Sequence, residues 1–203
     1  MNGAVAWLLV AMGLGAVVVR RRSLAVGLVT AQALMLAAAG ATGAADAGEA
    51  AAAAVLAVRA VCLAAVLLLV VSRTREPRPI PAHVPPLARA GLAVALALAL
   101  AWLVPPFGFA SADVERAALA LVAFGLVTVA TRRATLQQVV GIVLVENGVA
   151  LAALELPGGA SFLTELGVAF DLTLIAAVAA VFHERIFAQF GAGDSAALRS
   201  LRD

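Results

Sequence analysis

Three ionisable side chains lie far inside long apolar runs: Arg59, Glu146 and Asp171. A charge at such depth in hydrocarbon costs about 2.5 kcal/mol or far more, so each needs a partner or a task. Glu146 occurs in Gly141-Ile-Val-Leu-Val-Glu146-Asn147-Gly148. A glutamate in an apolar medium keeps its proton unless a cation or water supports the charge, which suits a proton relay. The plainer alternative is a protonated acid making one interhelical hydrogen bond. Asp171, in Thr164-Glu165-Leu-Gly-Val-Ala-Phe-Asp171-Leu-Thr173, reads either as a second relay acid or as a structural partner for Arg59. Arg59 differs in kind, because a guanidinium stays charged and cannot hand a proton on. It can hold a neighbouring carboxylate ionised, either as a structural ion pair or as an electrostatic gate.

Lesser polar groups surround these three. Gln32 lies at a similar depth in its own run. Thr135, Gln138 and Glu146 fall on one helical face with Ile142 between them, a stripe able to lead water from the cytoplasmic end to Glu146. Glu165 is nearer the outer boundary and reads as either the mouth of a pathway or a solvated edge. His83 and His183 lack partners at metal-ligand spacing and read as interface residues. Cys62, the one cysteine, reads as a small core residue and excludes an internal disulfide or a Cys-based metal cage. No nucleotide loop, zinc motif, haem ligand pair or nucleophile elbow occurs, so no cofactor or metal is expected, nor catalysis by this chain alone.

The elements that must position these groups follow from composition. In 203 residues, 64% are hydrophobic and 13% charged, with mean hydropathy +1.07. A soluble domain needs roughly a quarter of its residues charged, so a water-soluble, collagenous or disordered chain is excluded. The net charge of +2 comes from 14 arginines and no lysine, and their placement follows membrane topology rather than nucleic acid. A spanning helix needs about 20 mostly apolar residues. Seven stretches meet or approach this: about 3–19, 23–41, 50–72, 87–104, 114–131, 134–154 and 163–183. Lipid-facing backbone must be satisfied within its own segment, and the alternation of a barrel is missing. The expected fold is an all-α, polytopic membrane bundle of about seven transmembrane helices.

The first run has no basic residues before it and reads as a span rather than a cleavable leader. Arg20–Arg22, then Arg73, Arg75, Arg78 and Arg89, then Arg132 and Arg133, then Arg185, Arg199 and Arg202 gather at alternate ends. The opposite loops hold Asp46, Glu49, Asp113 and Glu155 and no arginine. Positive residues mark the cytoplasmic side, giving an N-terminus outside and a C-terminus inside, with Trp7 and Trp102 near the outer interface. On these limits Arg59, Glu146 and Asp171 share a layer roughly 12–15 Å below that interface.

Gly13-Leu14 with Arg20, Arg21, Ser23 and Leu24 matches Gly125-Leu126 with Arg132, Arg133, Thr135 and Leu136, an offset of 112 residues. The same offset puts Arg59 on Asp171. Two parallel three-helix repeats joined by one extra helix would give this pattern; chance similarity in an Ala/Leu/Val-rich chain is the alternative. The organisation is then an N-terminal three-span unit (1–72), a Pro-rich cytoplasmic linker (73–86), a connecting span (87–104), a second three-span unit (114–186) and a cytoplasmic tail (187–203).

Arg132-Arg133-Ala-Thr-Leu-Gln-Gln-Val-Val-Gly141-Ile-Val-Leu-Val-Glu146-Asn147-Gly148, followed by Glu165-Leu-Gly167-Val-Ala-Phe-Asp171, resembles component E of hydrogenase-4, a formate hydrogenlyase-type membrane subunit. The span pattern is similar over the whole chain, and the last seventy or so residues carry the specific likeness. Those three spans also resemble the K subunit of respiratory complex I and, more distantly, the C subunit of Mrp antiporters. The resemblance implies a non-redox subunit in a bacterial or archaeal plasma membrane. Its partners would be antiporter-like and H-subunit-like membrane chains and, indirectly, a hydrogenase-type redox arm. Its buried acids would serve proton or Na⁺ translocation. Aligned on Arg132, Arg133 and Gly141, the K subunit's second-span glutamate falls at Val143, one turn before Glu146, and its third-span glutamate falls on Asp171. The relatives carry lysine where this chain has Arg59, so a relay step assigned to that lysine does not transfer. A scaffold without an ion path and a cation/proton antiporter subunit are the competing expectations.

Overall fold

The computed structural model describes residues 2–74, 84–109, 111–156 and 161–190. Among them are seven α-helices and no β-strand: α1 (Gly3–Val18), α2 (Arg22–Gly43), α3 (Ala47–Arg73), α4 (Pro86–Leu103), α5 (Ala112–Thr131), α6 (Thr135–Glu155) and α7 (Phe162–Phe190). Six of them, α2 to α7, are long and apolar enough to cross a membrane, whereas α1 has 16 residues and is shorter. The all-α bundle is therefore as expected, and its helices are those of a multi-pass membrane protein. Most of the proline-rich linker (75–83, with His83) and the tail from 191 onward lie outside the described residues.

Local chemistry fixes where the site-bearing helices start. Asp46 accepts from the Glu49 N–H at 2.8 Å, while the Glu49 carboxylate accepts from the Ala45 N–H at 2.8 Å. This reciprocal cap satisfies two orphan donors and sets the register that carries Arg59. At α7 the Ser161 hydroxyl caps one donor, accepting from the Thr164 N–H at 3.2 Å. At α6, Gln138 turns back and donates to the Arg132 carbonyl at 2.9 Å.

The tightest seam joins α5 and α6. A methyl group on Gly125 would sit 2.5 Å from the Gly141 carbonyl oxygen, and one on Gly141 would sit 2.9 Å from that of Gly125. In a bilayer, association rests on close packing rather than on hydrophobic transfer, so small residues let the backbones meet. Across the bundle α1 packs on α5, α2 on α6 and α3 on α7. These are the helices that the 112-residue offset equates.

The arginines in the first turn of α4 and between α5 and α6 do more than mark a side. Arg89 and Arg132 both donate to the Val17 carbonyl, at 3.1 and 2.9 Å, and Arg132 also reaches the Val19 carbonyl at 2.7 Å. They satisfy the carbonyl end of α1, where its dipole favours a cation. Burial, then the nearby charges of Arg89 and Arg20, lower Arg132 to about 10, still well above neutrality.

The apolar interior forms two clusters. One is centred on Val26, Val29, Leu63, Leu67, Phe124 and Leu144. The other holds Leu9, Leu36, Leu56, Val114, Leu121 and Leu151. Along α2, α3 and α6 the change from one cluster to the other falls at Gln32, Arg59 and Asn147, all buried.

Candidate functional site

The polar groups between the two clusters form a belt across five helices. It begins on α1, where Gln32 of α2 donates to the Leu9 carbonyl at 2.7 Å. Gly13 makes that approach possible, since a Cβ there would lie 3.3 Å from the Gln32 amide nitrogen. Asn147 of α6 donates to the Gln32 side-chain oxygen at 2.7 Å and to the Val29 carbonyl at 3.3 Å. Buried amides of this kind persist only where most of their hydrogen-bonding capacity is met.

Glu146 precedes Asn147 and faces another way. Its carboxylate accepts from Arg59 of α3 at 3.0 Å. The same guanidinium nitrogen lies 3.8 Å from the Glu165 carboxylate of α7. The Arg59 side chain is 1% exposed, that of Glu165 9% and that of Glu146 19%, so the cation is enclosed and only Glu146 keeps an opening. One fixed positive charge thus stands between two carboxylates. The cluster holds one more acid than it has cations.

A cavity of about 10 Å³ lies among α2, α3, α6 and α7, at the lower limit for a single water. Arg59 and Asn147 both line it, with Val143 and Leu172. Arg59 Nη2 and Asn147 Oδ1 have no hydrogen-bond partner among the described residues. The amide pair and the ionic cluster therefore meet across a gap of about one water's size.

The structure brings some of the expected residues together and separates others. Arg59 meets Glu146, and Gln32 is in the same belt. Asp171 is not beside Arg59; it is exposed on the outer surface of α7, and Glu165 takes the inner place. The reason is rotation. Helices α3 and α7 run parallel, with Arg59 beside Glu165 at one end and Thr74 beside His183 at the other (3.3 Å). Glu165, Leu172, Ala176 and His183 form the buried face, and Asp171 lies about 100° round the helix from Leu172. Glu165 is accordingly a buried acid rather than a solvated edge. The stripe of Thr135, Gln138 and Glu146 is not one polar track, since Gln138 caps a carbonyl and Thr135 lines an apolar groove against α7. His183, expected at an interface, is fully buried, and Cys62, expected in the core, is exposed. Asn147 was available in the sequence as a second amide in an apolar run, by the argument that singled out Gln32.

No family model and no solved structure gives a significant match to this chain. An uncharacterized protein of Mycobacterium tuberculosis, Rv0085, is 34% identical over 87 residues. That alignment takes in 43% of this chain and 40% of the relative, so the match spans about two fifths of each.

Proposed function

We propose that this chain is a non-redox integral membrane subunit of an energy-converting hydrogenase or formate-hydrogenlyase-like complex in a bacterial or archaeal plasma membrane. Within it, Glu146 and Glu165 share an exchangeable proton under the fixed charge of Arg59. The observation that carries this reading is the single guanidinium set between two carboxylates, in a belt that lies between two apolar clusters. An acid pair with one proton too few for both can accept or release it as a charge moves nearby. Gln32 and Asn147 continue the polar layer across the membrane plane, a direction suited to passing ions or charge changes between neighbouring chains. The likeness of the Arg132–Gly148 and Glu165–Asp171 segments to component E supports the hydrogenase assignment, and Na⁺ in place of H⁺ fits the same acids.

Purification of the intact complex through an affinity tag on this chain tests the assignment. Antiporter-like and H-subunit-like membrane chains with a hydrogenase-type redox arm are expected to copurify. A preparation with no redox subunit would overturn it and favour an antiporter. The scaffold reading draws on the small size of the cavity, which holds about one water. Under that reading, Glu146→Gln lowers the yield of complex and leaves ion flux per complex unchanged.

A further inference from the structure

The least enclosed helices are α4 and α7, with 11% and 17% of their spans buried within the chain, against 61% for α6. What they present outward differs. The exposed side of α4 offers Leu92, Val94, Leu98 and Trp102, and its one charge, Arg89, is fully buried. Such a surface suits acyl chains. Along α7 an exposed stripe at helical spacing runs through Thr164, Gly167, Asp171, Ile175, Val178 and Phe182. Asp171 lies nine residues from Phe162, roughly 13 Å along the helix axis. Its carboxylate makes no hydrogen bond or ion pair with the described residues. On one side of it, between α7 and the start of α6, lies a groove of about 550 Å³ lined by Thr135, Leu174, Val178 and Phe182. On the other, nothing lies within 4 Å of where a Gly167 Cβ would be, so a neighbouring backbone can come close.

We propose that this face of α7 receives a transmembrane helix of another chain, which carries a lysine or arginine level with Asp171. Charge complementarity names the occupant. A carboxylate facing lipid is retained where a partner neutralises it, and among the described residues no cation is left over at that level. Arg59 is committed to Glu146 and Glu165 on the opposite side of α7. A helix seated in the groove fills it with apolar side chains and brings its basic group to the acid at the groove's end. The inference deepens the reading of the chain as a complex subunit and rests on it, but not on the identity of the redox arm.

A photo-crosslinking residue placed at Val178, in the full-length chain in native membranes, tests this against one at Leu98. From Val178 the expected adduct is one transmembrane segment of a different chain, with Lys or Arg within a turn of the Asp171 level. From Leu98 only lipid adducts are expected. Asp171→Lys should lower recovery of the intact complex about tenfold or more through like-charge repulsion, and exchanging the partner's basic residue for aspartate should restore it. Adducts only to lipid, to a second copy of this chain, or to a segment without a base would overturn the proposal, as would unchanged recovery with Asp171→Lys. The copurifying chains decide the hydrogenase reading separately. A mapped basic partner in a complex with no redox arm would keep this interface and remove that assignment.

Discussion

Glu146 and Asp171 are both acids well inside apolar helices, yet the bundle treats them oppositely. Glu146 is held at 3.0 Å by an enclosed guanidinium, with Glu165 on the far side of the same cation. Asp171 is exposed on the outer surface of α7, with no side-chain partner among the described residues. The difference teaches that depth alone does not define a site in a membrane protein. An interior acid is a matter of this chain's own stability and chemistry, whereas an exterior one concerns whatever chain lies alongside.

Substitutions at paired inner and outer positions sharpen that contrast. The largest effect is expected from Gly141→Leu, whose side chain would drive into the α5 backbone. A loss of about 3 kcal/mol or more follows from overpacking against backbone that cannot shift, read as loss of detergent-stable protein. Gly167→Leu meets open space and should leave the isolated chain's thermal midpoint unchanged. Next, Glu146→Ala removes the nearer partner of a buried cation and should cost about 3 kcal/mol. Glu165 at 3.8 Å compensates only in part. Equal stability of Glu146→Ala and wild type in thermal unfolding would break the distinction between the two regions. Asn147→Leu leaves the Gln32 oxygen without its 2.7 Å donor, an expected loss of about 1–3 kcal/mol in the same assay. Asp171→Asn should change the isolated chain by less than about 0.5 kcal/mol, as small an effect as that of Gly167→Leu.

Much of the fold was legible because composition and run length determine it: runs of this hydropathy must be helical in a bilayer. The pairing of Arg59 with Glu146 was also accessible, since two opposite charges at one depth stabilise each other. The orientation of each helix was not. Lipid and protein core are both apolar, so the side of α3 carrying Cys62 and the buried side look alike in sequence. The 112-residue offset matches Arg59 to Asp171 in sequence, but the packing sets Arg59 beside Glu165, an earlier residue on a different face, since each residue turns a helix by about 100°. His183 illustrates the same point, because its place beside Thr74 depends on how α3 and α7 pack.

We propose that the acids around Arg59 handle a translocated proton. Proton movement per turnover, measured in sealed vesicles containing the intact complex with wild-type chain or Glu146→Gln, tests it most directly. The variant is expected to assemble and turn over while translocation per turnover falls sharply. An unchanged ratio of protons moved to turnovers, at normal complex abundance, would contradict it.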